Sequence, residues 1–275
     1  MTNRRAAAWF TERGALRVPE ITIYFWVIKA LSTAMGEATS DFLVHRLGPE
    51  PAVGLGFAMF AAALALQFAT RRYRTWTYWF AVCMVGVFGT MAADVLHVGF
   101  GVPYTASSTL YAVILAAVFI TWRGTERTLS IHSIDTTRRE VFYWAAVVAT
   151  FAMGTALGDM TATTLHWGYL VSGLFFAGLI MLPAIGGSLL RWNRIFAFWF
   201  AYVTTRPLGA SFADYLGKPV SVHGLGLGDG NAALIFTAAI VCLVGYLAIT
   251  GRDEQRGQPV NPGHGGHARA RHSVR

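Results

Sequence analysis

Apolar stretches close to 20 residues long recur along the whole chain, at about 21–45, 52–70, 76–98, 104–122, 141–165, 169–190, 195–216 and 231–250. As a helix, each run covers the roughly 30 Å hydrocarbon core of a bilayer at about 1.5 Å per residue. The expected fold is therefore all-α: a polytopic membrane protein of eight transmembrane helices. Only 13% of the 275 residues are charged and 55% are hydrophobic. A soluble domain carries about 25% charged residues. That deficit excludes a disordered chain, a coiled coil and an ordinary soluble enzyme. The runs are continuous rather than alternating, which argues against a β-barrel.

The formal net charge of +8 does not point to nucleic acid, because the basic residues sit in the short gaps between apolar runs. Of the 22 lysines and arginines, 18 fall on one side of the expected membrane, in the arm 1–20, around Arg71, Arg123, Arg138 and Arg191, and in the tail 252–275. The other side holds Arg46 and Lys218. Positive charge marks the cytoplasmic side, so both termini are expected in the cytoplasm of a bacterial cell, with the protein in the inner membrane. No signal peptide is expected, since Thr11, Glu12 and Arg13 break the first apolar patch. Cys83 and Cys242 lie inside runs and imply neither a disulfide framework nor a CxxC metal site.

The chain also repeats itself. Gly36-Glu37-Ala38-Thr39-Ser40-Asp41, Gly89-Thr90-Met91-Ala92-Ala93-Asp94, Gly154-Thr155-Ala156-Leu157-Gly158-Asp159 and Gly209-Ala210-Ser211-Phe212-Ala213-Asp214 each run from Gly through four mostly small residues to Asp. Each lies near the C-terminal end of an odd-numbered run. Aromatic triplets precede all four: Tyr24-Phe25-Trp26, Tyr78-Trp79-Phe80, Phe142-Tyr143-Trp144 and Phe198-Trp199-Phe200. One unit is thus an odd helix, a short outer turn, an even helix and a basic inner loop, with units at about 21–75, 76–139, 140–193 and 194–251. Two spans per unit make the copies parallel, unlike the inverted repeats of many secondary transporters. Parallel copies put the four aspartates at one depth. They allow either a pseudo-fourfold ring or two four-helix halves.

On these four Gly-x4-Asp segments, and on Lys29-Ala30-Leu31-Ser32-Thr33 leading into Gly36-Glu37, the chain resembles a family of uncharacterised bacterial integral membrane proteins. That family is built from a repeat of unknown function, commonly in four copies. The resemblance covers about residues 20–250 and implies the eight-helix fold. It implies no substrate and no site residues. The first copy departs by carrying Glu37, and the fourth by carrying Arg206-Pro207.

A carboxylate at the membrane centre costs roughly 2.5–3.5 kcal/mol even on the mild insertion scale, so intramembrane acids mark functional sites. Asp41, Asp94, Asp159, Asp214 and Glu37 are the expected substrate- or ion-binding residues. The competing reading gives the aspartates to helix-end hydrogen bonds or interhelical pairing alone. Each Asp has a histidine downstream: His45, His97, His166 and His223, at +4, +3, +7 and +9. Carboxylate with imidazole suits Mn, Fe, Co, Ni or Zn, whereas carboxylates alone also suit Mg²⁺ or Ca²⁺. Each histidine alone also reads as an interfacial residue. The motif glycines read as sites of close helix packing.

Lys29 and Arg206 also fall inside apolar runs. They read as internal counterions of Glu37, Asp41 or Asp214, as a lock or coupling element released by a cation or proton, or as anion ligands. Pro207 should kink helix seven beside Arg206. The glycine-rich segment 224–230 lacks the strand context of a nucleotide loop and reads as a flexible turn. His264, His267 and His272 lie in a basic tail expected to be disordered, where they could hold a metal loosely.

The function expected from these residues is transport of a divalent transition-metal cation, Mn-like, with export the preferred direction. The metal would be substrate, and no cofactor is implied. The expected partners are the lipid bilayer and the transported ion or small molecule, not nucleic acid. One alternative is a proton-coupled transporter of a small organic substrate or anion using Arg206 and Lys29. Another is a membrane scaffold. No catalytic constellation is present, and no enzymatic activity is expected.

Overall fold

The structure, a computed structural model, describes residues 16–189 and 192–254. The histidines of the tail lie outside the described residues. The described residues form eight α-helices and no strand: α1 (Ile23–Leu47), α2 (Pro49–Thr70), α3 (Thr75–Asp94), α4 (Tyr104–Glu126), α5 (Thr137–Asp159), α6 (Gly168–Leu189), α7 (Arg194–Gly217) and α8 (Asp229–Thr250). Turns of π-helix, Val95–Gly99 and Met160–Thr164, prolong α3 and α5. Three odd helices begin at side-chain caps: Thr22 accepts from Phe25 N, Thr136 from Arg139 N, and Asn193 from Ile195 and Phe196 N.

The helices match the apolar runs, with differences at their ends that have local causes. α2 starts at Pro49 rather than 52, because proline is well placed in a first helical turn, where its missing N–H has no partner to lose. α5 starts at Thr137 rather than 141, on the Thr136 cap. α4 continues to Glu126, whose carboxylate pairs with Arg138 and Arg139. α7 runs unbroken through Pro207. Five helices are long and apolar enough to cross a membrane: α2, α3 and α5 with their extensions, α4 and α8. The charges of α1 (Lys29, Glu37, Asp41) and α7 (Arg206, Asp214) take those two out of that group. In α6 the apolar stretch is the shorter Gly168–Pro183.

The odd helices form a closed ring, in which α1 packs on α3, α3 on α5, α5 on α7 and α7 on α1. The even helices lie outside it. Each packs most extensively on the odd helix that follows it: α2 on α3, α4 on α5, α6 on α7, and α8 back on α1. Burial follows this division. The apolar windows of α3 and α5 are 61% and 72% buried, against 22% for α2 and 28% for both α4 and α8. The outer helices leave Phe57, Val113, Phe175 and Ile235 uncovered.

The motif glycines explain how the ring closes. A Cβ on Gly36 would stand 2.7 Å from the Gly86 carbonyl carbon of α3. One on Gly89 would stand 2.8 Å from Phe151 Cβ of α5, one on Gly154 2.6 Å from Arg206 Cβ of α7, and one on Gly209 2.7 Å from Thr33 Cβ of α1. Each copy of the motif therefore touches the next odd helix around the ring, and the fourth touches the first.

Counted from these glycines, a stripe of every fourth residue faces the ring's axis: Phe25, Lys29, Thr33, Glu37 and Asp41 on α1, and Phe198, Tyr202, Arg206, Ala210 and Asp214 on α7. On α3 and α5 the stripes run from Tyr78 to Asp94 and from Tyr143 to Asp159. Residues four apart share a helix face. At the aromatic end, the Tyr78 and Tyr143 hydroxyls are hydrogen-bonded between α3 and α5, and Phe25 contacts Phe198 and Tyr202 at 6.1 and 6.4 Å between ring centroids. A buried cluster seals that end: Arg17 Nη1 donates to Glu140 Oε2 at 2.6 Å, and Gln67 Nε2 donates to Glu140 Oε1 at 2.9 Å.

Substitution should separate ring glycines from others. Gly36→Ala forces its methyl onto the Gly86 backbone and should cost about 1–3 kcal/mol. Gly54→Ala on α2, with open space at its Cβ, should be neutral or slightly stabilising. Unfolding of the purified variants in detergent measures the difference.

Candidate functional site

At the end of the ring opposite the aromatic layer, the four stripes finish in acids. Asp41, Asp94, Asp159 and Asp214, with Glu37 one layer deeper, all line one cavity of about 470 Å³. Tyr104, Tyr169 and Val53 complete its wall from the starts of the outer helices. Carboxylate oxygens of Glu37, Asp41 and Asp214 lie within 4.8 Å of one another.

Two cations meet these acids. Lys218 Nζ is paired with Asp41 Oδ2 and lies 3.8 Å from Asp214 Oδ1. Burial disfavours its charge, but Asp41 and Asp214, helped by Asp229, hold its pKa above the ordinary lysine range. Lys218 stands just past α7, where the glycine-rich segment folds back over the helix end. Leu225 N donates to Tyr215 O, Gly226 N to Lys218 O, Leu227 N to Leu216 O and Gly228 N to Gly217 O, at 2.7–3.1 Å. The segment expected to be a flexible turn is thus a hydrogen-bonded cap on α7. Gly224 is required there, since a Cβ would meet the Lys218 carbonyl carbon at 2.6 Å.

Arg206 is fully buried on the axis below the cavity. Its Nη2 donates to Glu37 Oε2 and Thr155 Oγ1, both at 2.6 Å, and to Thr90 Oγ1; its Nη1 donates to Thr33 O at 3.1 Å. Glu37, Thr90 and Thr155 are the residues that follow the motif glycine in the first three copies. The fourth copy has Ala210 there. Arg206 thus ties all the other odd helices to α7.

Asp94 and Asp159 are different. Neither carboxylate has a hydrogen-bond or ion-pair partner among the described residues, and each residue stands at the junction where its helix turns from α to π. π-helical turns are rare and occur often at functional sites. The cavity therefore has one half, between α1 and α7, occupied by Lys218, and another half, between α3 and α5, with two uncompensated carboxylates.

Several expected site residues are placed elsewhere. Lys29 makes no ion pair with an acid among the described residues. It is fully buried with its Nζ 4.0 and 4.2 Å from the ring centroids of Phe151 and Tyr202, so the counterion reading fits Arg206 and not Lys29. A turn of helix that carries Lys29 toward the aromatic layer also carries it away from the acids. The histidines are not gathered into one shell. His45 lines the cavity rim, with Nδ1 3.5 Å from Asp229 Oδ2. His97 Nδ1 is engaged by Val102 O at 2.8 Å, and its ring stacks on Tyr104. His166 is exposed, with Nδ1 2.9 Å from Thr164 O, and His223 is exposed in the turn after α7. Their unequal offsets of +3 to +9 from the aspartates put them in unlike positions. Lys218, Thr90 and Thr155 were readable in principle: Lys218 follows Asp214 by four residues, and the two threonines occupy the position of Glu37 in their own copies.

The sequence pattern described as Repeat of Unknown Function (DUF347) matches residues 24–73, 77–128, 142–188 and 197–253. The chain belongs to this family. Each match takes in one odd helix and the even helix after it. None of the curated proteins and none of the solved structures compared matches the chain.

Removing Arg206 strands Glu37 as a buried charge. Arg206→Met should destabilise by about 3–5 kcal/mol, whereas the pair Arg206→Met with Glu37→Met should recover much of the loss. Equal instability of single and double variants in detergent unfolding would show that the arginine acts by packing alone.

Proposed function

We propose that this protein is an integral membrane transporter for a divalent, Mn²⁺-like cation, and that the cavity is its binding site. The observation that carries this reading is a charge count: five carboxylates line one 470 Å³ cavity that is met by two fixed cations, Arg206 and Lys218. An excess of buried negative charge is neutralised by a cation from solution, a metal ion or protons. The donors that converge are oxygens, which suit Mn²⁺, Mg²⁺ or Ca²⁺ and disfavour the soft metals. A divalent ion entering at Glu37, Asp41 and Asp214 displaces the Lys218 ammonium, and Asp94 and Asp159 offer the next carboxylates across the cavity.

In this reading all eight helices span the bilayer as four parallel copies of one two-helix unit. The uncovered apolar side chains of the outer helices support it, since a lipid environment would cover them. The arginines of the connections put the termini and the aromatic end of the ring in the cytoplasm. The acidic cavity then opens outward from a bacterial inner membrane, and Arg206, Phe151 and Lys29 close the axis beneath it. The anion reading has less support, because Arg206 is committed to Glu37 and three backbone or hydroxyl oxygens, and Lys29 is enclosed by rings; neither lines the cavity.

Calorimetric titration of the purified protein with Mn²⁺ tests the site. Binding should release protons, seen as a heat that changes with the ionisation enthalpy of the buffer, and should weaken as pH falls, because protons compete for the same oxygens. Asp41→Asn and Asp214→Asn should each weaken binding by about tenfold or more, about 1.4 kcal/mol. Lys218→Met should tighten it. A wild-type protein that binds no divalent cation, and moves none into proteoliposomes, would end the proposal.

A further inference from the structure

The end of the ring remote from the acids carries a site of opposite character. A groove of about 640 Å³ opens there between the last turns of α4 with the segment after it and the first turns of α7. Arg123 and Arg127 stand at its mouth, four residues apart and both exposed, within reach of a single phosphate. No carboxylate lines the groove. Three other arginines at this end are paired with carboxylates: Arg17 with Glu140, and Arg138 and Arg139 with Glu126. Neither Arg123 nor Arg127 has an ion-pair partner among the described residues.

Behind the arginines the walls are apolar. Phe119 lines one side and Phe196, Phe200 and Val203 the other. Trp199 lines it too, held in place by its Nε1, which donates to Leu129 O at 2.9 Å. From Asn193 to Val203 the wall rises about 15 Å at about 1.5 Å per residue, half of a hydrocarbon core about 30 Å thick. That is the depth of one leaflet.

We propose that this groove binds one anionic phospholipid from the leaflet on the arginine-rich side. Its phosphate sits on Arg123 and Arg127, and an acyl chain lies along Phe196, Phe200 and Val203. A zwitterionic lipid would bring its own cation to a mouth that already holds two uncompensated positive charges. The inference needs the membrane reading given above but not the transport reading, since the groove shares no residue with the acidic cavity.

Native mass spectrometry of the delipidated full chain, titrated with phosphatidylglycerol or with phosphatidylcholine of the same acyl chains, tests it. Phosphatidylglycerol should be retained as one tight equivalent. Arg123→Gln with Arg127→Gln should weaken that equivalent by about tenfold or more. Val203→Trp, which fills the groove and leaves the arginines intact, should weaken it as well. Arg72→Gln with Arg74→Gln, at the same end but off the groove, should leave it unchanged. Equal retention of phosphatidylcholine, equal loss in the off-groove variant, or displacement of the lipid by inorganic phosphate would each overturn the proposal.

Discussion

A guanidinium with no exposure to solvent, hydrogen-bonded to side chains from three other helices, is the contact that makes the ring one structure. Gly154 lets α7 approach α5 at Arg206, where a Cβ would meet the arginine side chain, and Ala210 occupies the position where other copies place Glu or Thr. Its charge is met by Glu37, and the hydroxyls of Thr90 and Thr155 and the Thr33 carbonyl accept further hydrogen bonds from it. A buried ion pair of this kind contributes little net stability, because desolvation offsets attraction, but breaking it is expensive. It therefore holds the arrangement of the four helices more than it strengthens it.

The same helices show why the fold was largely legible from the residues. The apolar runs fixed where helices lie, since a 20-residue run has few alternatives, and the four Gly-x4-Asp segments identified the helices that meet. Helix ends were less legible. Thr136 and Pro49 are ordinary start signals that an apolar window passes over. The site was legible in part. The aspartates share a cavity because equal positions in repeated helices reach equal depth. The counterion reading of Lys29 fails because spacing along a helix hides direction: two turns separate it from Glu37, and its Nζ lies over the Phe151 ring. The partners of Arg206 come from three other helices, so spacing within α7 does not point to them, and only the repeat relates Thr90 and Thr155 to Glu37.

Symmetry and its departures divide the work between copies. The glycine contacts and the terminal aspartates repeat around the ring. Between them, the equivalent positions differ: Lys29, Val82, Val147 and Tyr202 in one set, and Thr33, Gly86, Phe151 and Arg206 in the next. The repeated layers build the bundle, and the unequal ones place charge on its axis. The π-helical turns after Asp94 and Asp159 extend this inequality to the cavity, where the first and fourth copies share a lysine and the second and third do not.

The placement of the outer helices has a topological consequence. Because α2 lies mainly against α3, α4 against α5, α6 against α7 and α8 against α1, no repeat encloses its own odd helix. Each unit lends its second helix to its neighbour, as subunits do when they exchange arms. The packing closes on itself, since α7 and α8 both lie against α1, and the chain reaches its full set of contacts only when its last helices have met its first.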